Sequence, residues 1–271
     1  MAQALGRLLK LHGELVLRVA SRTPEQARRA ADFIGAGVQP ATYNELGGRI
    51  ILCVPDDALE SVAATLSDAA RIVLHTSGSR GPEALDVLSR RGVACGSLHP
   101  LQTVPSPQAG VERLPGCVFA VGGDEAAAEW AQQVVSLVNG STILIAPGCH
   151  SLYHAAAVMA SNYVSALLGA AESLMAMAGV SREQALPALA PLVRAAVENA
   201  VTLGPMAALT GPVQRGDART VASHLEALRT APAEVVDLYR AAGRQTLTMA
   251  RERGLPDEVA VSIGRLLNER N

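Results

Sequence analysis

The run Ile50-Ile51-Leu52-Cys53-Val54 carries no polar residue at alternate positions. Such a run fits a parallel strand covered on both faces and does not fit a strand with one face in water. It is one of a series. Strand-like runs at 15–20, 38–41, 71–75, 93–98, 118–121 and 142–145 are separated by helical stretches at 24 onward, 58–66, 82–91 and 125–138, with a further helix opening the chain over 2–11. Thr23-Pro24-Glu25-Gln26 opens one of them: Thr23 as N-cap, Pro24 in the first position and Gln26 closing a capping box. Alternation of this kind predicts an α/β, mostly parallel, doubly wound sheet. From Cys149 onward the pattern changes. Helices are predicted over 151–179, 182–203, 218–229, 233–253 and 256–269, with no good strand among them. Pro147-Gly148 is the expected boundary between an α/β domain, 1–147, and an all-α domain, 148–271.

Composition removes several function classes. With 23 Lys+Arg against 25 Asp+Glu the chain is no basic nucleic-acid binder, and at 3% aromatics it offers few base-stacking platforms. Lys10 is the one lysine, so acid catalysis by a lysine in the second half has no candidate. Cys53, Cys95, Cys117 and Cys149 show neither C-x-x-C nor zinc-finger spacing and read as reduced, buried thiols of a cytoplasmic protein. The N-terminal residues do not spell a signal peptide. The most apolar stretch, 155–180, contains Ser161, Asn162 and Glu172, which suits a buried helix better than a membrane span.

Ligands of open α/β sheets bind beyond the carboxyl ends of the strands. Three strands here end in polar, turn-forming residues. They are Val54-Pro55-Asp56-Asp57, His75-Thr76-Ser77-Gly78 and His99-Pro100-Leu101-Gln102. Two strand-end histidines on one rim point to chemistry; the plainer alternative is that they cap a sheet edge. The strand over 15–20 ends in Ser21-Arg22-Thr23, where an NAD site usually has an acidic residue. An arginine there suits the 2′-phosphate of NADP, with Ser21 and Thr23 adding hydroxyls. A solvated Arg22 and a merely capping Thr23 are the alternative. A dinucleotide fold should also begin with a strand and G-x-G-x-x-G. Here the chain begins inside what reads as the following helix, with Ala2 in the place of the third glycine, so the first strand and most of the glycine loop are expected to be missing. A start assigned too far downstream would account for this.

In the helical half, His150-Ser151-Leu152-Tyr153-His154 is followed by Ser161-Asn162. His150 and His154, four apart, share one helix face with Ser161 two turns on. The pair lacks H-E-x-x-H and a third ligand, so no metal is expected. His154 as a satisfied core histidine and Asn162 as a helix–helix contact are the alternatives. Thr210-Gly211-Pro212-Val213-Gln214-Arg215-Gly216-Asp217 is a broken segment in which Arg215 can grip a carboxylate as a fork, or merely partner an Asp217 cap.

Together, Val54-Pro55-Asp56-Asp57, His75-Thr76-Ser77-Gly78, His99-Pro100-Leu101-Gln102, Tyr153-His154-Ala155-Ala156-Ala157, Ser161-Asn162 and the segment 208–217 resemble a group of bacterial Rossmann-like proteins whose helical C-terminal domain is filed as a domain of unknown function, DUF2520. That group is similar to the 6-phosphogluconate, hydroxyisobutyrate, pyrroline-5-carboxylate and ketopantoate reductases and dehydrogenases. The resemblance implies a Rossmann-like domain followed by a helical domain that forms a homodimer and lines the active site. It also implies NADP-dependent hydride transfer to a carbonyl or imine of a small carboxylate, with ketopantoate the leading substrate. The wider group uses a lysine and an asparagine at the start of the long helix, where this chain has His150 and His154. The proton donor is therefore expected to be His154 or His99, or else Tyr153. Asn162 and Ser77 would orient the substrate beside His75, and Arg215 would hold its carboxylate. Arg22 would hold the 2′-phosphate, within a coenzyme site of Ala2, Ser21, Thr23, Val54, Pro55 and Asp56. The rival from another class is a non-catalytic Rossmann-like protein that binds a nucleotide or a partner; a metal-dependent hydrolase is a distant third.

Overall fold

A computed structural model of the chain describes residues 1–269. It forms two compact units, one spanning Met1–Asn162 and the other running from Tyr163 onward.

In the first unit, α1 (Ala2–Leu11) precedes β1 (Arg18–Ala20), α2 (Pro24–Ile34) and β2 (Gln39–Ala41). The strands β1 and β2 pair in parallel. Thr23 caps α2 as expected, its hydroxyl oxygen accepting from the Gln26 N–H. A second sheet follows in chain order: β3 (Gly48–Leu52), β4 (Ala70–His75), β5 (Ala94–Pro100), β6 (Val118–Gly123) and β7 (Ser141–Leu144). Each strand falls on a run expected from sequence, and the Rossmann-like α/β class is the one observed. One pair departs from parallel: β5 and β6 run antiparallel, with Gly96 opposite Gly123. A Cβ on Gly123 would overlap the Cys95 carbonyl, and its φ of +129° is open to glycine alone.

Helices cover both faces of the main sheet. α3 (Leu59–Thr65) and α4 (Asp86–Ser89) lie in chain order between its strands, and α5 (Pro107–Arg113) and α6 (Glu125–Leu137) follow. One core joins Leu5 and Leu8 of α1 to Leu74, Leu98 and Phe119 of the sheet and Val134 of α6. The other joins Ile50, Leu52 and Val73 to Leu59, Leu85 and Leu88. The uninterrupted apolar run of β3 is thus explained by two covered faces. Among the described residues, the edge of β3 away from β4 and the edge of β1 away from β2 pair with no strand.

The sequence predicted one helix over 151–179. Two form instead, α7 (His150–Ala160) and α8 (Asn162–Met177). Ser161 breaks them at φ −129°, ψ −70°, with its hydroxyl donating to the Ala157 carbonyl at 2.7 Å. Back-bonding of this kind competes with the helical ladder and bends it. The boundary moves as well, from Pro147-Gly148 to Asn162, because α7 is seated on the sheet: the Ser151 hydroxyl donates to the Ser79 carbonyl and Tyr153 bonds His99.

The second unit adds α9 (Arg182–Leu203), α10 (Pro205–Ala208), α11 (Ala218–Ala227), α12 (Ala233–Glu252) and α13 (Asp257–Asn268). Its core is Val221, Leu225, Leu247, Ala260, Ile263 and Leu267. Arg240 is buried there because its guanidinium donates to the Leu266 carbonyl at 2.7 Å. By contrast α8 buries no residue and α9 only Ala185. Among the described residues no helix is long and apolar enough to cross a membrane.

Phe119 is fully buried in the first core, beside Trp130, the one tryptophan. Phe119→Ala leaves a cavity that should cost about 3–5 kcal/mol. Urea unfolding followed by Trp130 fluorescence checks this through a lowered midpoint at unchanged slope.

Candidate active site

Three loops leave the carboxyl ends of β3, β4 and β5 side by side. The parallel register puts Leu52 opposite His75, and His75 opposite Ser97, two residues before His99. Residue types that open turns follow each strand, so Asp56, Ser77, Gly78, Ser79 and His99 gather on one rim.

His75 is fully buried. Its Nε2 lies 3.0 Å from the Gly81 carbonyl, and its Nδ1 accepts from the Ser77 N–H at 3.2 Å. A carbonyl can only accept, so Nε2 carries the proton and the ring is neutral. Burial pushes its pKa down, in agreement. Both ring nitrogens are thus spent on holding the loop 75–81. Ser77 adds to it by accepting from the Arg80 N–H at 3.2 Å.

On the floor of that loop sits Gly78, which is buried. A Cβ there would lie 2.6 Å from His154 Nδ1 and 2.7 Å from His99 Nε2. Only glycine lets both imidazoles approach so near. His99 Nδ1 is 2.7 Å from the Tyr153 hydroxyl, and the His99 ring meets those of Tyr153 and His154 edge to face, with centroids 5.5 and 5.9 Å apart. His154 Nδ1 is buried and has no hydrogen-bond partner among the described residues. An orphaned polar atom of this kind costs stability and is a mark of a site kept for another molecule.

Desolvation lowers His99 to about 4, with the neighbouring His154 acting in the same direction. It is therefore neutral near pH 7. Burial raises the Tyr153 phenol, which stays protonated. At Asp56, desolvation works to raise the carboxyl, yet hydrogen bonds from the Ser79 and Ser77 hydroxyls hold the group below the usual carboxylate range. The rim thus carries a negative charge near the neutral rings of His75 and His99.

The structure brings His75, Ser77, His99, Tyr153, His154 and Asp56 together, all within the first unit. Val54 and Pro55 lead directly into Asp56. Asn162 ends the same unit. Arg215 lies in the second unit, exposed. Asp217 caps α11 by accepting from the Thr220 N–H at 2.9 Å, so its cap partner is Thr220 and not Arg215. Gly78 as the meeting point, and Ser79 as the partner of Asp56, were not singled out from sequence; the glycine closing His75-Thr76-Ser77-Gly78 was the available signal. Among the described residues no group of three His, Cys, Asp or Glu is placed to hold a metal ion.

The expected dinucleotide can be tested against these residues. Arg22 follows β1, exposed and without any hydrogen-bond or ion-pair partner among the described residues, as a 2′-phosphate ligand would be. Ser21 Oγ is 3.2 Å from Gln26 Oε1, and Thr23 serves the α2 cap. These residues fit the adenosine-phosphate end. At α1 the N-cap is Met1, which offers no side-chain bond, and Ala2 opens the helix.

Residues 117–246 match the family described as "Domain of unknown function (DUF2520)". The resemblance drawn from the motifs is thus found again over that segment. No curated protein matches. Among solved structures, protein TM1727 from Thermotoga maritima superposes with a TM-score of 0.74 at 23% identity, covering 93% of this chain and 96% of its own. A 1-pyrroline-5-carboxylate reductase from Streptococcus pyogenes gives 0.58 at 18%, covering 99% and 93%. A reductive aminase from Aspergillus terreus, in complex with NADPH and ethyl levulinate, gives 0.55 at 20%, covering 98% and 89%. At these identities the likeness is one of fold.

The His99 value carries a stability consequence. An ordinary histidine takes up its proton near 6.5, whereas folded His99 resists it until about 4. Acid therefore protonates the unfolded chain first. The contribution of His99 is intact above 6.5, is lost as pH falls from 6.5 to about 4, and is level below that. Histidine NMR should give a midpoint near 4 for His99, and His99→Asn should flatten stability against pH over this window.

Proposed function

We propose that this chain is an NADP-dependent oxidoreductase that reduces a carbonyl or imine of a small carboxylate, with ketopantoate the first keto acid to try. The observation that carries the reading is the convergence of His99 and His154 on Gly78, with Tyr153 bonded to His99, at the carboxyl rim of a Rossmann-like sheet. That rim is where open α/β sheets hold their ligands. Structures that share the fold include a reductase of 1-pyrroline-5-carboxylate and an aminase holding NADPH, which favours nicotinamide chemistry over hydrolysis.

NADPH, when bound, supplies the hydride; the chain supplies position and a proton. Arg22 takes the 2′-phosphate with Ser21 and Thr23 beside it, Ala2 lies at the helix start, and Val54, Pro55 and Asp56 border the coenzyme. His154 delivers a proton from its ring to the oxygen or nitrogen that gains negative charge. Imidazole suits this near neutral pH. The Tyr153–His99 hydrogen bond fixes the His99 ring against Gly78, and His75 fixes the loop that carries Ser77. Ser77 and Asn162 orient the substrate. With Lys10 the only lysine, no amine is on hand for the same task.

The helical unit is read as a homodimerisation element. In α9, Leu192 is 67% and Val201 79% exposed, while α8 buries nothing despite its apolar composition. Exposed apolar surface on this scale marks an interface. Four unpaired cysteines suit the cytoplasm.

Fluorescence titration with NADPH and NADH tests the coenzyme role. Binding of NADPH near micromolar, with NADH far weaker, is expected. Arg22→Ala should weaken NADPH roughly tenfold to a hundredfold, the loss of one charge-assisted contact, and leave NADH unchanged. Loss of turnover in His154→Gln with coenzyme affinity retained would place that ring in the chemistry; full turnover would remove it. Light scattering should report a dimer, and Leu192→Glu with Val201→Glu should give a monomer.

A further inference from the structure

The carboxyl rim turns two ring nitrogens toward Gly78: His99 Nε2, from β5, and His154 Nδ1, from α7. What His99 Nε2 can do there is decided on the other side of its ring. Nδ1 lies 2.7 Å from the Tyr153 hydroxyl, which bonds no other group among the described residues. Burial raises the phenol, so it keeps its proton. A phenol is a stronger donor than an imidazole N–H, and an imidazole lone pair is a stronger acceptor than a phenol oxygen. The hydroxyl therefore donates and Nδ1 accepts. A neutral imidazole carries one proton, which then sits on Nε2. Desolvation keeps the ring neutral, lowering His99 to about 4. Packing keeps the N–H in place: the ring stands at 88° to Tyr153 and at 80° to His154. Among the described residues no group accepts from Nε2, which lies 2.7 Å from where a Gly78 Cβ would be.

We propose that Tyr153 sets the tautomer of His99, so that an uncharged Nε2–H donor faces Gly78 and takes the carbonyl oxygen of the substrate. The chemical role rests on the oxidoreductase reading; the tautomer does not. An N–H donor needs a lone pair opposite it. A carbonyl oxygen brings one, whereas a protonated imine nitrogen brings an N–H of its own and meets the ring hydrogen head on. The site thereby prefers C=O to C=NH⁺. As the carbonyl carbon takes the hydride, its π pair moves onto the oxygen. The His99 N–H stabilises the charge that builds there and keeps its own proton throughout; the proton that completes the hydroxyl is the one His154 delivers. Because the ring is neutral, its hydrogen bond gains most when the oxygen turns negative, which favours the transition state over the bound ketone. Tyr153 is thus a positioning residue, acting through the ring that touches the substrate.

Proton–nitrogen correlation spectra of the imidazoles test the tautomer in the unliganded 271-residue chain. His99 should show a protonated Nε2 and a bare Nδ1. Tyr153→Phe keeps the ring and loses the hydroxyl, and should shift the tautomer ratio about fivefold or more toward Nδ1–H, the worth of one hydrogen bond. A protonated Nδ1 in the parent chain overturns the proposal, as does an unchanged ratio in Tyr153→Phe. Turnover of ketopantoate with NADPH tests the contact. Glutamine carries its N–H where the imidazole carries Nε2, and asparagine where it carries Nδ1. His99→Gln should therefore keep at least about tenfold more kcat than His99→Asn, at equal NADPH affinity. Equal kcat in the two overturns the contact. 1-Pyrroline-5-carboxylate, a cyclic imine, should be reduced at least about tenfold more slowly than ketopantoate; equal or faster reduction overturns the preference for a carbonyl. Absence of NADPH binding in the parent chain is a failure of the oxidoreductase reading, which the spectra of the unliganded chain register separately.

Discussion

The absence of a side chain at Gly78 is the constraint on which the candidate site depends. His99 reaches it from β5 and His154 from α7, each bringing a ring nitrogen to where a Cβ would stand. Tyr153, one residue before His154, ties α7 to β5 through its 2.7 Å bond to His99. The first helix after the last strand is thereby drawn onto the rim of the sheet. An alanine at 78 would have to push one imidazole away, and the helix carrying it would follow. The loop that presents Gly78 is held in turn by His75, whose two nitrogens are committed to Gly81 and Ser77. Two histidines at equivalent strand ends thus do different work. One is sealed and saturated, and the other faces a gap with a nitrogen free.

A second constraint runs through the sheet. β3 carries an unbroken apolar run because helices cover both its faces, but it pairs along one edge only. Burial of side chains on the faces and pairing of backbone groups on the edges are separate requirements, and this chain meets the first without the second.

Much of the architecture was legible because it rests on local signals. Runs of β-branched and aliphatic residues marked most of the strands, and Thr23-Pro24-Glu25-Gln26 marked the start of α2 through a cap that the structure contains. What local signals miss is tertiary. The antiparallel turn of β6 depends on two glycines passing each other, Gly96 and Gly123, and no periodicity reports it. The break at Ser161 interrupts an apolar stretch that reads as continuous, because a serine hydroxyl bonding its own helix leaves no trace in hydropathy. The boundary at Pro147-Gly148 read a composition change correctly and missed that α7 docks backward onto the sheet. At the rim, the residue types were readable from strand ends, whereas the division of labour between His75 and His99 was not. It depends on which carbonyl each ring meets.

The chain's scarcity of lysine bears on which protons can move. A lysine placed at the start of the long helix would bring a permanent charge and a flexible stem into a buried site. This chain puts rings there instead. Imidazoles packed edge to face against one another hold their positions without a counter-ion, and desolvation keeps His99 uncharged beside His154. Two facing imidazoles can share at most one charge at modest cost, since a second would be repelled within a site of low polarity. The depression of His99 keeps that ring uncharged against Gly78, beside an Asp56 that Ser79 and Ser77 hold ionised.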